Sequence, residues 1–147
     1  LTETVSGGIM NTVEKGNLAE AIAIKEMMKL GYDILTPFGH HLPFDFVAHK
    51  NGELLKIQVK GKDSSKGRIT DIKLKRNPFN NFKGIKQKMY ESGDWDWMLV
   101  VDLKTEKVYR LTFDDFGSSI NLTLRTEQPK NGQLKGINLA EDYLLSA

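Results

Sequence analysis

The dipeptide Asn51-Gly52 stands between two β-rich runs, and it constrains the fold of this chain more than any other feature of the sequence. A two-residue turn of type I′ needs positive φ at both central residues, and Asn followed by Gly meets this need best. The sequence therefore predicts a β-hairpin with a fixed register. The opposed pairs are then Lys50 with Glu53, Val47 with Lys56, and Asp45 with Gln58.

This register places a carboxylate and an amide on one face of the predicted hairpin. Directly opposed side chains have Cβ atoms about 4.5–5.5 Å apart, so Asp45 and Gln58 can direct oxygen atoms at one small object. Period-two alternation adds Lys60 to the same face. Oxygen ligands suit a hard cation such as Mg²⁺, and a lysine beside it can hold the attacking water and the scissile phosphate. The alternative is a solvated strand face, where Asp, Gln and Lys are common residues.

Apolar residues at three- and four-residue spacings predict a first helix from Thr12 to Leu30, capped by Thr12 and ended by Gly31. Within it, Glu20 is a single charge amid apolar neighbours, and burial of a carboxylate without a partner is costly. Glu20 therefore needs a cation or a hydrogen-bond donor, unless it lies at the boundary of the helix and faces water. Gly16, one turn earlier on the same face, would let the backbone come close to the sheet or to a phosphate.

The remaining pattern predicts an α/β domain with one mixed sheet covered by helices. The chain of 147 residues is long enough for one ordinary domain, which we assign to residues 10–147. Residues 1–9 lack an initiating Met and include Gly7-Gly8, so they are interpreted as an expression remnant or a disordered leader. The other predicted elements are strands over Tyr32 to Thr36, Phe44 to His49, Leu54 to Lys60, Ile69 to Lys75, Trp97 to Val101, Val108 to Thr112 and Ile120 to Arg125, and helices over Lys83 to Ser92 and from about Leu139.

Basic residues are concentrated in one segment of the chain. The net charge is only +2, but residues 50–90 hold twelve Lys or Arg and three acidic residues. That segment is +9 and the rest of the chain is −7, which predicts a surface for nucleic acid on an acidic body. A two-stranded ribbon there would fit the major groove of DNA. A mobile charged loop after Lys60 is the alternative. The residues predicted to bind duplex DNA are Lys62, Ser64, Ser65, Lys66, Arg68, Lys73, Lys75 and Arg76.

Other polar and aromatic candidates are interpreted as structural. His40 and His41 lie in the loop of residues 37–43, where a plain polar turn is favoured over a phosphate contact. Trp95 and Trp97 introduce an apolar strand and are more typical of a core than of a platform for bases.

The chain contains no cysteine. This excludes disulfides, thiolate zinc sites, iron–sulfur clusters and cysteine nucleophiles. The candidate site is made of oxygen ligands, which favours magnesium over zinc. A cysteine-free sequence fits a reducing compartment, and no apolar run approaches the ~20 residues that span a bilayer. We therefore expect a cytoplasmic protein with no membrane partner.

Three segments in this order and at these separations resemble the PD-(D/E)xK nuclease superfamily: Gly16 and Glu20 on a first helix, Pro43-Phe44-Asp45, and Gln58-Val59-Lys60 at the end of the hairpin. The resemblance covers about residues 12–101 and implies a restriction-endonuclease-like core of order α-β-β-β-α-β. More narrowly, the chain is similar to the group I intron-encoded homing endonucleases of cyanobacteria.

The resemblance also implies a role for each matched residue. Asp45 is then the metal-bridging carboxylate, Gln58 occupies the second acidic position, Lys60 is the motif lysine, Glu20 completes the site from the helix, and the Val59 carbonyl is a further ligand of Mg²⁺. The departure is Gln58, because the family usually has Asp or Glu there. An amide keeps an oxygen ligand but removes a negative charge, so metal affinity comes to depend on Glu20.

On this resemblance we expect a Mg²⁺-dependent DNA endonuclease of the homing type, which hydrolyses phosphodiesters to make a double-strand break at a long target. One subunit offers one hydrolytic site, so a double-strand break requires self-association as a homodimer or a homotetramer. Two alternatives stay open. One is a junction-resolving or repair nuclease of the same fold, and the other is a non-catalytic DNA-binding module, for which Gln58 is the best argument.

Overall fold

The structure, a computed structural model, describes residues 9–76, 88–116, 121–133 and 135–146. For Lys75, Arg76, Lys88 and Met89 it describes the backbone alone. The leader predicted over residues 1–9 lies outside the described residues except for Ile9.

Helix α1 spans Thr12–Lys29, close to its predicted bounds. Its N-cap is Asn11 and not Thr12 as predicted, because the Asn11 side chain accepts a hydrogen bond of 2.9 Å from the Glu14 N–H. Asn is among the best N-cap residues, since its side-chain oxygen pairs a donor that the first turn leaves free. Gly31 follows the helix end at φ 92°, as predicted.

The strands form one large sheet and two small ribbons. Their bounds are β1 Asp33–Leu35, β2 Phe46–Lys50, β3 Glu53–Lys62, β4 Arg68–Lys73, β5 Lys75–Arg76, β6 Lys88–Met89, β7 Trp97–Asp102, β8 Val108–Thr112 and β9 Asn121–Arg125. The large sheet has the order β1-β2-β3-β7-β8, and the ribbons are β4-β9 and β5-β6. Strand β3 runs parallel to β7 while the other neighbours are antiparallel. The mixed sheet confirms the predicted fold class.

The Asn51-Gly52 turn forms as predicted, with φ of 52° and 80° at its two residues. The register of the hairpin is also confirmed by the pairs Lys50–Glu53 and Val47–Lys56. Regular pairing ends at Phe46 opposite Ile57. Asp45, predicted to stand opposite Gln58, instead donates its backbone N–H to the Ile57 carbonyl at 2.8 Å. The two strands therefore part at the residue that carries the predicted carboxylate.

Two helix predictions are wrong within the described residues. Lys88–Met89 forms strand β6, although a helix is predicted from Lys83 to Ser92, and residues 83–87 lie outside the described residues. The predicted terminal helix is a single 3-10 turn, Ala140–Tyr143. After this turn the Leu145 N–H donates to the Val108 carbonyl at 2.9 Å, so the chain pairs with the outer edge of β8. A one-turn helix α2, Phe113–Phe116, follows β8.

Apolar clusters cover both faces of the large sheet. One cluster packs α1 onto the sheet, and the other packs the β4-β9 ribbon onto the opposite face, where Trp95 is buried as predicted. Helix α1 comes close to the sheet at Gly61, where an added Cβ would lie 2.7 Å from the Cβ of Ala19. The close approach to the sheet predicted at Gly16 is wrong, because nothing lies within 4 Å of a Cβ added there. In the described part of the chain, no helix combines the length and the apolar content needed to cross a bilayer.

Candidate active site

The site forms where β2 stops and β3 continues. Even-numbered residues of β3 direct their carbonyls at the β7 side, since Lys56 accepts from Asp96 N–H and Lys62 accepts from Leu103 N–H, both at 2.8 Å. Backbone groups alternate along a strand, so the odd-numbered residues face the side from which β2 has departed. The N–H and the carbonyl of Val59 therefore lie at an open edge of the sheet.

Asp45 occupies this open edge. Its Oδ2 accepts a hydrogen bond of 2.7 Å from the Val59 N–H, which replaces the pairing that β2 no longer supplies. Burial raises the pKa of the Asp45 carboxyl, against the opposing effects of the Val59 N–H and the Lys60 charge. Asp45 is thus a half-buried carboxylate fixed by the backbone of the strand that carries the other candidates.

Gln58 directs its side-chain oxygen at the Val59 N–H, as Asp45 does. Its Oε1 also accepts from the Val59 N–H, at 2.9 Å, so the oxygens of Asp45 and Gln58 converge on one donor. Its Nε2 donates to the Pro43 carbonyl at 3.1 Å and to the Tyr90 hydroxyl at 3.0 Å. Because a backbone carbonyl can only accept a hydrogen bond, the Pro43 contact assigns the orientation of the amide. The predicted convergence of a carboxylate and an amide oxygen is present, by way of a parted hairpin rather than a directly opposed pair.

Glu20 approaches the site from α1. Burial raises the pKa of its carboxyl, the charge of Asp45 raises it further, and His40 lowers it. Glu20, His40 and Asp45 line one pocket of about 250 Å³, together with residues of the loop before Asp45. His40, predicted to lie in a plain polar turn, shares this pocket with both carboxylates.

Lys60 lies two residues beyond Gln58, on the same side of β3. Burial lowers the pKa of its ammonium group, Asp45 raises it, and Lys62 lowers it. The Lys60 Nζ lies over the ring of Tyr90, 5.9 Å from the ring centroid, which is within the range of a cation–π contact. Tyr90 thus contacts both Gln58 and Lys60, a role that no signal in the sequence indicated.

The donor set fits a hard divalent cation. Two carboxylates, one amide oxygen and the Val59 carbonyl are all oxygen ligands, which Mg²⁺ and Ca²⁺ prefer. In the described part of the chain no cluster of three or more His, Cys, Asp or Glu side chains could hold a metal ion. A cation here would therefore need the amide of Gln58 and a backbone carbonyl beside the acidic pair Glu20 and Asp45.

The basic residues that follow β3 form a tight turn. Ser65 and Arg68 exchange backbone hydrogen bonds of 2.9 and 3.1 Å around Lys66 and Gly67, whose φ values are 53° and 73°. The Gly67 carbonyl accepts from the Thr126 N–H at 2.8 Å, which ties the turn to the residue after β9.

The predicted DNA-binding residues differ in their exposure and in their hydrogen-bond partners. Lys66, Arg68 and Lys73 are exposed, and Ser65 is exposed in the turn. The backbone N–H of Ser64 donates to the buried carboxylate of Asp102 at 3.1 Å. Lys62 is half-buried, and the side chains of Lys75 and Arg76 lie outside what the structure describes.

A mixed sheet that opens beside a helix, with Asp45, Gln58 and Lys60 at the opening, defines the restriction-endonuclease-like class of fold. The family of PD-(D/E)XK endonucleases matches residues 10–146. The chain belongs to this family and is an endodeoxyribonuclease, which confirms the resemblance seen in the sequence.

One solved structure supports the same assignment. The bacterial homing endonuclease I-Ssp6803I has 27% sequence identity with this chain and a TM-score of 0.73, over 92% of this chain and 89% of that one. No curated protein matches the chain.

Proposed function

We propose that this endonuclease is Mg²⁺-dependent and hydrolyses phosphodiesters of duplex DNA at a long specific site, leaving a double-strand break. The proposal depends on the separation of β2 from β3 at Asp45. There the side-chain oxygens of Asp45 and Gln58 both accept a hydrogen bond from the Val59 N–H, and Lys60 lies beside them. The similarity to a bacterial homing endonuclease supports cleavage of the homing type.

In this proposal the oxygen donors hold the cation and Lys60 serves the chemistry. Nucleases of this family generally use divalent metal ions. Asp45, Glu20, Gln58 and the Val59 carbonyl would hold Mg²⁺, which when bound lowers the pKa of the attacking water and offsets charge on the phosphate. Lys60 holds the water and the scissile phosphate, and burial lowers the pKa of its ammonium group.

DNA would approach over the turn and ribbon that follow the site. Ser65, Lys66, Arg68 and Lys73 are exposed there and suit contacts with phosphates, which fix the register of a protein on a duplex. DNA binding stays a prediction for Lys62, Ser64, Lys75 and Arg76. The cytoplasmic location also stays a prediction. Because one chain offers one hydrolytic site, we also propose that the protein acts as a homodimer or homotetramer.

The test is cleavage of a plasmid library of candidate insertion sequences, in Mg²⁺ and in EDTA, by the parent, Lys60→Ala and Lys56→Ala. Lys56 is a matched control, because it lies on the same strand and the same face as Lys60 but donates to the Gly93 carbonyl. We expect Mg²⁺-dependent linear product from the parent and from Lys56→Ala. We expect cleavage about 10²-fold slower or worse from Lys60→Ala.

Each other result points elsewhere. Equal rates for Lys60→Ala and the parent would refute the catalytic role of Lys60. Preferred cleavage of branched DNA would favour a junction-resolving or repair nuclease. Tight DNA binding without cleavage would favour a non-catalytic module. Product that is nicked and never linear would argue against the paired subunits.

A further inference from the structure

Gln58 is held by a backbone carbonyl and a tyrosine hydroxyl, and the carbonyl distinguishes an amide from a carboxylate. The two hydrogens of its side-chain nitrogen are both used, one on the Pro43 carbonyl and one on the Tyr90 hydroxyl. A carbonyl oxygen can only accept hydrogen bonds, so the side chain at position 58 must donate to Pro43. An ionised Glu at position 58 has no hydrogen to donate. Its carboxylate oxygen would face the Pro43 carbonyl oxygen, and the two acceptors would repel each other.

Tyr90 is a rigid support for this contact. Its side chain is 6% exposed and packs edge to face on Trp95, with ring centroids 5.9 Å apart. Its hydroxyl meets Gln58 while the face of its ring lies under the Lys60 ammonium. One buried ring thus fixes the positions of two candidate groups that lie two residues apart on β3.

We infer that the Pro43 carbonyl and the Tyr90 hydroxyl form a cradle that requires an amide at position 58, and that Tyr90 is a positioning residue of the hydrolytic site. The inference rests on the proposed function for its catalytic consequence. It explains why this chain carries Gln where an acidic residue is usual, and it makes Gln58→Glu a damaging change.

The cradle itself is tested in metal-free protein. In EDTA, the side-chain amide of Gln58 should give an NMR signal pair with slow hydrogen exchange. Tyr90→Phe removes the hydroxyl but keeps the ring, and it should shift this pair and speed its exchange about five-fold, as the loss of one hydrogen bond implies. Tyr109→Phe is the control, since Tyr109 is a buried tyrosine that lies beside Asp102. An unchanged Gln58 signal in Tyr90→Phe overturns the cradle.

Its effect on function is tested by single-turnover cleavage across a range of Mg²⁺ concentrations. Residues that orient metal ligands change affinity or activity by 10–100-fold when mutated. We expect Tyr90→Phe to need about ten-fold more Mg²⁺ for its half-maximal rate. Gln58→Glu should cut about ten-fold more slowly than the parent even at saturating Mg²⁺.

The outcomes separate the two proposals. If Gln58→Glu cuts as fast as the parent, or Tyr90→Phe has the parent's Mg²⁺ requirement, the positioning role is wrong although the nuclease assignment stands. If the parent itself does not cut, the proposed function fails, and the metal-free NMR result alone decides whether the cradle exists. If Tyr90→Phe does not fold, the Gln58→Glu rate still decides the requirement for an amide.

Discussion

At the scale of single residues, the site places ionisable groups where water solvates them poorly. Burial raises the pKa of both Asp45 and Glu20 and lowers the pKa of Lys60. Each shift means that folding disfavours the charged form of that group. The charges that would hold a cation are therefore kept at the expense of stability, as is common at functional sites.

We predict that Asp45→Asn stabilises the metal-free protein and abolishes cleavage. The Asn oxygen can still accept from the Val59 N–H, but the buried charge of the Asp45 carboxylate is removed. An acid whose pKa is raised on folding is penalised as pH rises above its unfolded pKa, and the penalty is absent below about pH 4. The gain should be about 1 kcal/mol near pH 7, or about 3 °C in melting temperature, and should vanish in acid.

Thermal unfolding in EDTA, near pH 7 and below about pH 4, measures this gain in stability. Asp33→Asn is the control, because the Asp33 side chain is 82% exposed and pairs weakly with His49 at 3.4 Å. It should change stability by less than about 0.5 kcal/mol. A variant Asp45→Asn that is less stable than the parent near pH 7 would contradict the prediction.

The residues of the site differ in how far the sequence could predict them. Asp45, Gln58 and Lys60 follow from a local turn and from period-two alternation, both of which are legible in a short stretch. His40 and Tyr90 do not, because their proximity depends on the path of a loop and on the packing of a distant segment against the sheet. The parting of the strands at Asp45 is likewise a tertiary effect, which the hairpin register alone does not contain.

At the scale of elements, local pairing was predictable and distant pairing was not. The β2-β3 hairpin forms around Asn51-Gly52 in the predicted register. By contrast, β4 pairs with β9, about fifty residues further along the chain, and a bulge at Thr70 and Asp71 interrupts this pairing. Lys88–Met89 pairs with β5 instead of continuing a helix. In each of these cases, pairing with a strand distant in sequence determines the secondary structure, and local propensity does not.

Asp102, the last residue of β7, joins the turn after β3 to the β7-β8 connection. Its buried carboxylate accepts from Ser64 N–H at 3.1 Å, from Lys104 N–H at 3.0 Å and from the Thr105 hydroxyl at 2.9 Å. Burial acts to raise the pKa of Asp102, but these hydrogen bonds outweigh it and the pKa is lowered. The carboxylate thus anchors the basic turn after β3 to the β7-β8 connection.

We predict that Asp102→Asn destabilises the protein by about 2 kcal/mol at neutral pH, because the new amide group opposes donors. An acid with a lowered folded pKa stabilises above its unfolded pKa, and this stability is lost as pH falls through the folded pKa. The variant should therefore approach the parent in acid. Urea unfolding near pH 7 and near pH 3 measures the difference.

The matched control for Asp102→Asn is Asp94→Asn. Asp94 also accepts a backbone hydrogen bond, from Glu91 N–H at 2.7 Å, but it is only partly buried and this bond is exposed. We expect an effect below about 1 kcal/mol for this variant. Equal losses at both pH values for Asp102→Asn would show that its ionisation does not contribute.

Over the chain as a whole, the near-neutral net charge is the sum of a strongly basic part and an acidic part. Residues 50–90 carry +9, and the remainder carries −7 and includes both Glu20 and Asp45. The basic segment starts on the hairpin that bears Gln58 and Lys60, and it continues through the Ser65–Arg68 turn into β4. On the proposed function, a polyanion bound to this segment would lie close to the carboxylate pocket.

We predict from this arrangement that Lys66→Gln weakens binding to duplex DNA of any sequence and lowers the salt dependence of binding. Each lysine that neutralises one phosphate contributes about 0.9 to the slope of log affinity against log salt, through the counterion that it releases. Anisotropy of a labelled duplex, titrated in Ca²⁺ at several salt concentrations, measures the slope without a known target. Lys29→Gln is the control, since Lys29 ends α1 outside the basic segment and pairs with Glu26 at 3.5 Å. A slope that is the same for Lys66→Gln and the parent would remove the turn from the DNA interface, because a lysine that contacts no phosphate releases no counterion.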